Sequence, residues 1–198
     1  MDDENRTLFM TQVVLPLSAT AGYPGHFIEL IRTFPARSTP SEKWQLYSYL
    51  AGKLIEGLPW MDRGIWDFYG NTAEALSQYA DWVDTLEMKE ARKQPLPIHP
   101  EGYRGPDEKR YIIVCAAFLL DGGSDCSQFV ENRVKNMPQG KLWNKTTFDA
   151  VFRLFYNLNF AAVASDCAFV LPGDPEYALT DQDLAGPDYS FLRPMIDG

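Results

Sequence analysis

Tyr111 to Leu120, the run YIIVCAAFLL, decides the fold. Its ten residues are continuously apolar rather than alternating, with charges just before it and Asp121-Gly122-Gly123 just after. A run of that length is about half of what a bilayer-crossing helix needs. Bounded by turn signals, it fits a strand covered on both faces and is expected to be the central strand of a sheet. Gly122-Gly123 then makes a turn, because neither GxGxxG nor GxxxxGK[ST] surrounds it.

A strand buried on both sides requires layers above and below it, and the flanking sequence supplies them. Thr39-Pro40-Ser41-Glu42 combines a Thr N-cap, Pro at the first helical position and Glu three residues after the cap, so a helix starts there. Trp44, Tyr47, Leu50, Leu54, Ile55 and Leu58 form its apolar stripe. Asn71-Thr72-Ala73-Glu74 repeats the cap logic before Leu76, Tyr79, Trp82, Val83 and Leu86, in a second helix expected to end near Arg92. A third is expected over about Thr146 to Asn157, with Phe148, Val151, Phe152, Phe155 and Leu158 on one side, and Thr180 with Asp183 caps a short fourth. His26 to Phe34 (HFIELIRTF) is a further short helix candidate.

Leu8 to Leu17 reads as a strand that Pro16 ends or places at an edge, and Phe160 to Leu171 reads as another. Pro59 to Gly70 (PWMDRGIWDFYG) has no helical period and reads as a loop or short hairpin. Four prolines between Gln94 and Pro106 exclude regular structure. The expectation is one α+β domain over 1–198, a sheet of about three to five strands with three to four helices, a tail over 1–7 and a Pro-rich internal loop over 94–107.

Eighteen basic and 27 acidic residues give a net charge of −9, and the surplus sits at the ends. Residues 1–30 carry four acids and one base, 159–198 carry seven acids and Arg193 alone, and the middle is balanced. Such a chain lacks the clustered Lys and Arg that phosphate backbones and anionic membranes attract, so neither is expected as a partner. MDDENR is acidic where a secretory leader is basic, which points to the cytoplasm. Cys115, Cys126 and Cys167 are an odd number without CxxC spacing and are expected to be reduced thiols.

No residue pattern carries catalysis on its face. His26 and His99 lie beside Pro or Gly in expected loops, and neither has the Cys or His neighbours of a zinc site. Asp174, Glu176, Asp181 and Asp183 lack the ligand frame of a calcium loop and read as a solvated acidic face. Trp60, Trp66, Phe68 and Tyr69 read first as core, and as partner anchors where exposed. No cofactor or metal is expected. The partner-contacting candidates are Trp60, Trp66, Tyr69, Asp174, Glu176, Asp181 and Asp183.

Tyr111-Ile112-Ile113-Val114, a following helix and Cys167-Ala168-Phe169-Val170-Leu171-Pro172 resemble a domain family of unknown function known from cyanobacterial and chloroplast thylakoid-associated proteins and from other bacteria. The close, Ala178 to Leu184 with Leu192-Arg193-Pro194, is similar to that family's LT-x-x-(D/E)-L … L-x-P ending, and Thr39-Pro40-Ser41 before Pro59 to Gly70 echoes it. The resemblance implies an interaction or regulatory domain and brings no catalytic residues. The functional expectation is therefore a non-enzymatic domain that binds a protein, in an immunity-like form a basic protein met by the acidic ends. The alternative is a hydrolase or transferase whose site joins a distant Asp or Glu to His26 or His99.

Overall fold

The computed structural model describes residues 5–16, 30, 39–91, 109–172 and 178–198, the side chains of 86–91 excepted. Among the described residues five strands form one sheet: β1 (Arg6–Pro16), β2 (Arg63–Tyr69), β3 (Tyr111–Asp121), β4 (Val163–Leu171) and β5 (Arg193–Pro194). Their order is β4-β3-β1-β2-β5, with every neighbouring pair antiparallel. Four helices of ten or more residues, α1 (Pro40–Gly57), α2 (Thr72–Ala91), α3 (Asp125–Lys135) and α4 (Lys145–Leu154), are joined by the five-residue α5 (Asp181–Ala185). This is an α+β domain with helices on both faces of an antiparallel sheet.

β3 is buried from Tyr111 to Leu120, as its unbroken apolar run requires, yet the middle of the sheet is β1. β1 is buried from Thr7 to Leu15 and pairs with β3 from Arg6 to Pro16. It starts two residues before Leu8, and Pro16 closes it. Its polar Thr7, Thr11 and Gln12 are buried nonetheless, and they disguise how central the strand is.

Alternation along each strand separates two cores. Phe9, Val13 and Leu15 of β1, Ile112, Val114, Ala116, Phe118 and Leu120 of β3, and Val170 of β4 share the first face with α1, α3 and α4. That face is aromatic: Phe118 stacks on Phe9 at 6.1 Å and meets Phe155 edge-on at 5.0 Å and Tyr47 at 4.7 Å. On the second face, Leu8, Met10, Ala117 and Leu119 pack beneath Ala75, Tyr79 and Trp82 of α2. Val14, Tyr111, Ile113, Cys115 and Leu171 pack beneath Leu179, Leu184, Tyr189 and Leu192.

The expected caps form. Thr39 Oγ1 accepts the Glu42 N–H at 3.3 Å while the Glu42 carboxylate accepts the Thr39 N–H at 2.7 Å, and Thr180 with Asp183 does the same at 3.2 and 2.8 Å. Phe160 opens a one-turn 3-10 segment, Phe160–Ala162, and the expected strand begins after it, at Val163.

Three points differ from the sequence reading. Pro59 to Gly70 is not a loop or hairpin: after the 3-10 turn Leu58–Trp60 it becomes β2, in which Gly64, Trp66 and Phe68 face the first core while Ile65, Asp67 and Tyr69 face away. A Cβ on Gly64 would stand 3.0 Å from Phe148 and from Val13 and would overlap Met195, so this glycine lets α4 and the C-terminal strand close over the sheet. Second, α3 gave no sequence expectation, being mostly polar, with Cys126, Ser127 and Val130 as its buried residues. Third, Trp44 and Leu76 were expected in apolar stripes and are 45% and 46% exposed. The buried line of α1 is Leu46, Tyr47, Leu50, Ala51 and Leu54, and that of α2 runs through Ala75 instead. The helix candidate at His26 to Phe34, apart from Leu30, and the proline loop lie outside the described residues.

Candidate interaction surface

The sequence candidates separate in space. Trp60 is 47% exposed in the turn before β2, beside Pro59, whose carbonyl accepts a hydrogen bond from Lys145 at 2.9 Å. Trp66 is buried on the first face, and its indole N–H donates to the Leu142 carbonyl at 3.0 Å. Tyr69 lies on the opposite face of the same strand, and burial, then the Asp67 carboxylate, pushes its phenol up to about 12. Asp174, Glu176, His26 and His99 lie outside the described residues.

The remaining acidic candidates act within the fold. Asp181 accepts the Tyr111 hydroxyl at 2.7 Å, and Asp183 caps its own helix. Tyr111 also feels Asp62 and Arg63, so Trp60, two residues before Asp62, and Asp181 belong to the same end of the sheet. Burial and then the Asp181 carboxylate hold that phenol well above its ordinary value. Asp166 accepts from Lys43 Nζ and, at 3.0 Å, from Tyr47 OH, while Asp197 pairs with Lys145 at 2.8 Å. Thus four carboxylates of the acidic C-terminal stretch are committed to internal bonds.

Lys43, Asp166 and Tyr47 form a polar cluster beneath α1. Tyr47 is buried, which together with Asp166 raises its phenol far above the usual range. Across β4, Tyr79 and Ser165 share a hydrogen bond at 2.8 Å. Asp166 directs a charge inward from an outermost strand of the described sheet, a device that discourages strand addition. Among the described residues no three His, Cys, Asp or Glu side chains converge as a metal site would require.

A further surface, which includes Trp44 from the expected apolar stripe, lies on the outer side of α1. Trp44 donates its indole N–H to the Tyr156 carbonyl at 3.0 Å, and a Cβ on Gly52 would meet the Tyr156 hydroxyl at 3.4 Å. Trp44 and Gly52 stand eight residues apart on one helical line, so Tyr156, in the turn that ends α4, lies along α1. Tyr49 is 49% exposed, with the Lys53 ammonium 5.5 Å from its ring centroid. Trp44 was legible only as an apolar residue at helical spacing, which does not tell the edge of a buried stripe from its centre.

No family model, curated protein or solved structure matches the chain. No helix among the described residues is long and apolar enough to cross a membrane.

Proposed function

We propose that this chain is a non-enzymatic protein–protein interaction domain, regulatory rather than catalytic, whose partner docks on the outer side of the α1–α4 helix layer. The observation that carries this reading is the exposure of Trp44, Tyr49 and Tyr156 together along α1 and the end of α4. Trp and Tyr dominate binding hot spots because they bury much apolar area at small conformational cost while keeping a polar handle. The rings are also held in place, by the Trp44 bond to the Tyr156 backbone and by Tyr156 lying against Gly52, which lowers the entropy lost on docking. The resemblance to a domain family without catalytic residues supports the same reading. A basic partner met by the acidic ends would draw on carboxylates other than Asp166, Asp181, Asp183 and Asp197. The cytoplasm is the compartment this reading assumes, in keeping with cysteines that form no disulfide among the described residues.

Affinity purification from native extract, followed by light scattering of the recovered species, tests the reading. A stoichiometric complex is expected, and Trp44→Ala combined with Tyr156→Ala should weaken it by at least about tenfold with unchanged circular dichroism. Repeated recovery of the bare chain, or a complex indifferent to the double substitution, contradicts it.

A further inference from the structure

Next to Tyr156, α3 and α4 enclose an open groove of about 600 Å³. Phe129, Asn132, Arg133 and Asn136 recur at three- and four-residue steps and form the α3 wall. Ala150, Arg153, Leu154 and Asn157 repeat that spacing and form the α4 wall. Phe129, Met137 and Leu154 give the lining an apolar base continuous with the first core. The polar groups are fixed: Asn136 Nδ2 donates to the Asn132 carbonyl at 2.7 Å and Asn157 Nδ2 to the Arg153 carbonyl at 3.1 Å. Each amide therefore keeps its own carbonyl oxygen for a visitor.

The charge of this region runs against that of the chain. Residues 131–157 hold five bases and two acids, whereas the rest of the chain holds 13 bases and 25 acids. Both acids are engaged, Glu131 with Lys135 at 2.5 Å and Asp149 with Arg153 through two bonds of 2.7 and 3.1 Å. Arg133 lies over the Phe129 ring, 5.4 Å from its centroid, and neither it nor Lys141 meets a carboxylate among the described residues.

We propose that this groove docks an acidic, amphipathic helix presented by a partner protein. The inference rests on the interaction reading above and adds the partner's chemistry. Two walls with helical spacing offer a third helix a channel in which apolar residues at i, i+3, i+4 and i+7 reach Phe129 and Met137, with Leu154 beneath them. Carboxylates beside that apolar line meet Arg133, which pairs with no carboxylate among the described residues, and Arg binds carboxylate in a planar, two-pronged geometry. The acidic remainder of the surface repels the same helix, so attraction at the groove and repulsion elsewhere both favour this one location. Trp44 and Tyr156 extend the contact beyond the groove.

The test uses the full chain and a fluorescein-labelled peptide of about sixteen residues, with Leu at the helical contact spacing and Glu elsewhere. A matched peptide with Lys for Glu is the control. Saturable anisotropy is expected for the Glu peptide, at least about tenfold tighter than for the Lys peptide, and weakening by a similar factor in high salt. Arg133→Glu should cost at least about tenfold, and Arg133→Lys should keep part of the affinity. Because Arg133 is solvent-facing, unchanged circular dichroism certifies the fold of both variants. Equal binding of the two peptides, absence of binding by the Glu peptide, or indifference to Arg133→Glu overturns the proposal. If the natural complex survives Arg133→Glu but is lost on Trp44→Ala with Tyr156→Ala, the groove assignment fails and the interaction reading stands. If the peptide binds as expected but no natural complex is recovered, the interaction reading alone fails.

Discussion

The two faces of the sheet are both buried, but they are built from different material. The first face holds interlocking rings, with Phe155 in contact range of Phe9, Tyr47, Phe118 and Phe152. The second relies on aliphatic residues and on hydrogen-bonded phenols, Tyr79 with Ser165 and Tyr111 with Asp181. The aromatic core fixes three helices whose outer sides then carry Trp44, Tyr156 and the basic groove. The second face is closed by α2 and the chain's own C-terminal segment. The difference teaches that the docking side proposed above is the one backed by interlocking rings.

The largest effect that would sharpen this contrast is Phe155→Ala, expected to cost about 4 kcal/mol in urea unfolding because one truncation strips four ring contacts. Ile113→Ala on the second face should cost about 3 kcal/mol, and a reversed order would break the comparison. Asp166→Ala comes next, at about 2 kcal/mol, since it leaves the buried Tyr47 hydroxyl without its acceptor. Tyr47→Phe in the same background should recover much of that loss.

Gln12 gives the opposite sign. It is fully buried on the second face, opposite Ile65 and Cys115, and its amide makes no hydrogen bond among the described residues. Gln12→Met is expected to stabilise the fold by about 1 kcal/mol, and a loss of stability would reveal a polar partner for that amide.

Alkali gives a gentler test, and it reaches the first face as well, where burial holds the Tyr47 phenol far above its ordinary value. Tyr69, Tyr79 and Tyr111 on the second face all have phenols held above the ordinary value, with burial as the leading cause. Below about pH 10 both folded and unfolded chains keep these protons, and the contribution is fully present. Above that, the unfolded chain releases protons that the folded chain retains, so stability falls as the pH rises towards the folded values. For Tyr69 that value is about 12. Tyr79→Phe with Tyr111→Phe should flatten the fall between about pH 10 and 12, and an unchanged slope would place the titrating groups elsewhere.

Much of the fold was legible in residues whose local chemistry coincides with their tertiary role. The capping boxes at Thr39 and Thr180 and the apolar run of β3 are of this kind. β2 was less legible because Trp66, Phe68 and Tyr69 crowd both of its sides, so hydropathy does not alternate where the backbone does. α3 escaped notice because a helix bordering a groove buries only a narrow strip. The candidate surface was least legible of all. Trp44 has the spacing of a core residue, and the basic stretch 131–157 is hidden inside a middle region whose total charge is zero. Exposure and pairing, which hydropathy does not encode, distinguish these residues from their buried or neutralised neighbours.

In the proposed reading a partner docks on the outer side of the first-face helices. Hydrogen–deuterium exchange of the chain, free and in its natural complex, tests this most directly. The expected result is new protection over 129–137 and 150–157 and along the outer side of α1 near Trp44, with α2 unchanged. Protection confined to α2 and the C-terminal segment, with 129–137 and 150–157 exchanging as in the free chain, would contradict it.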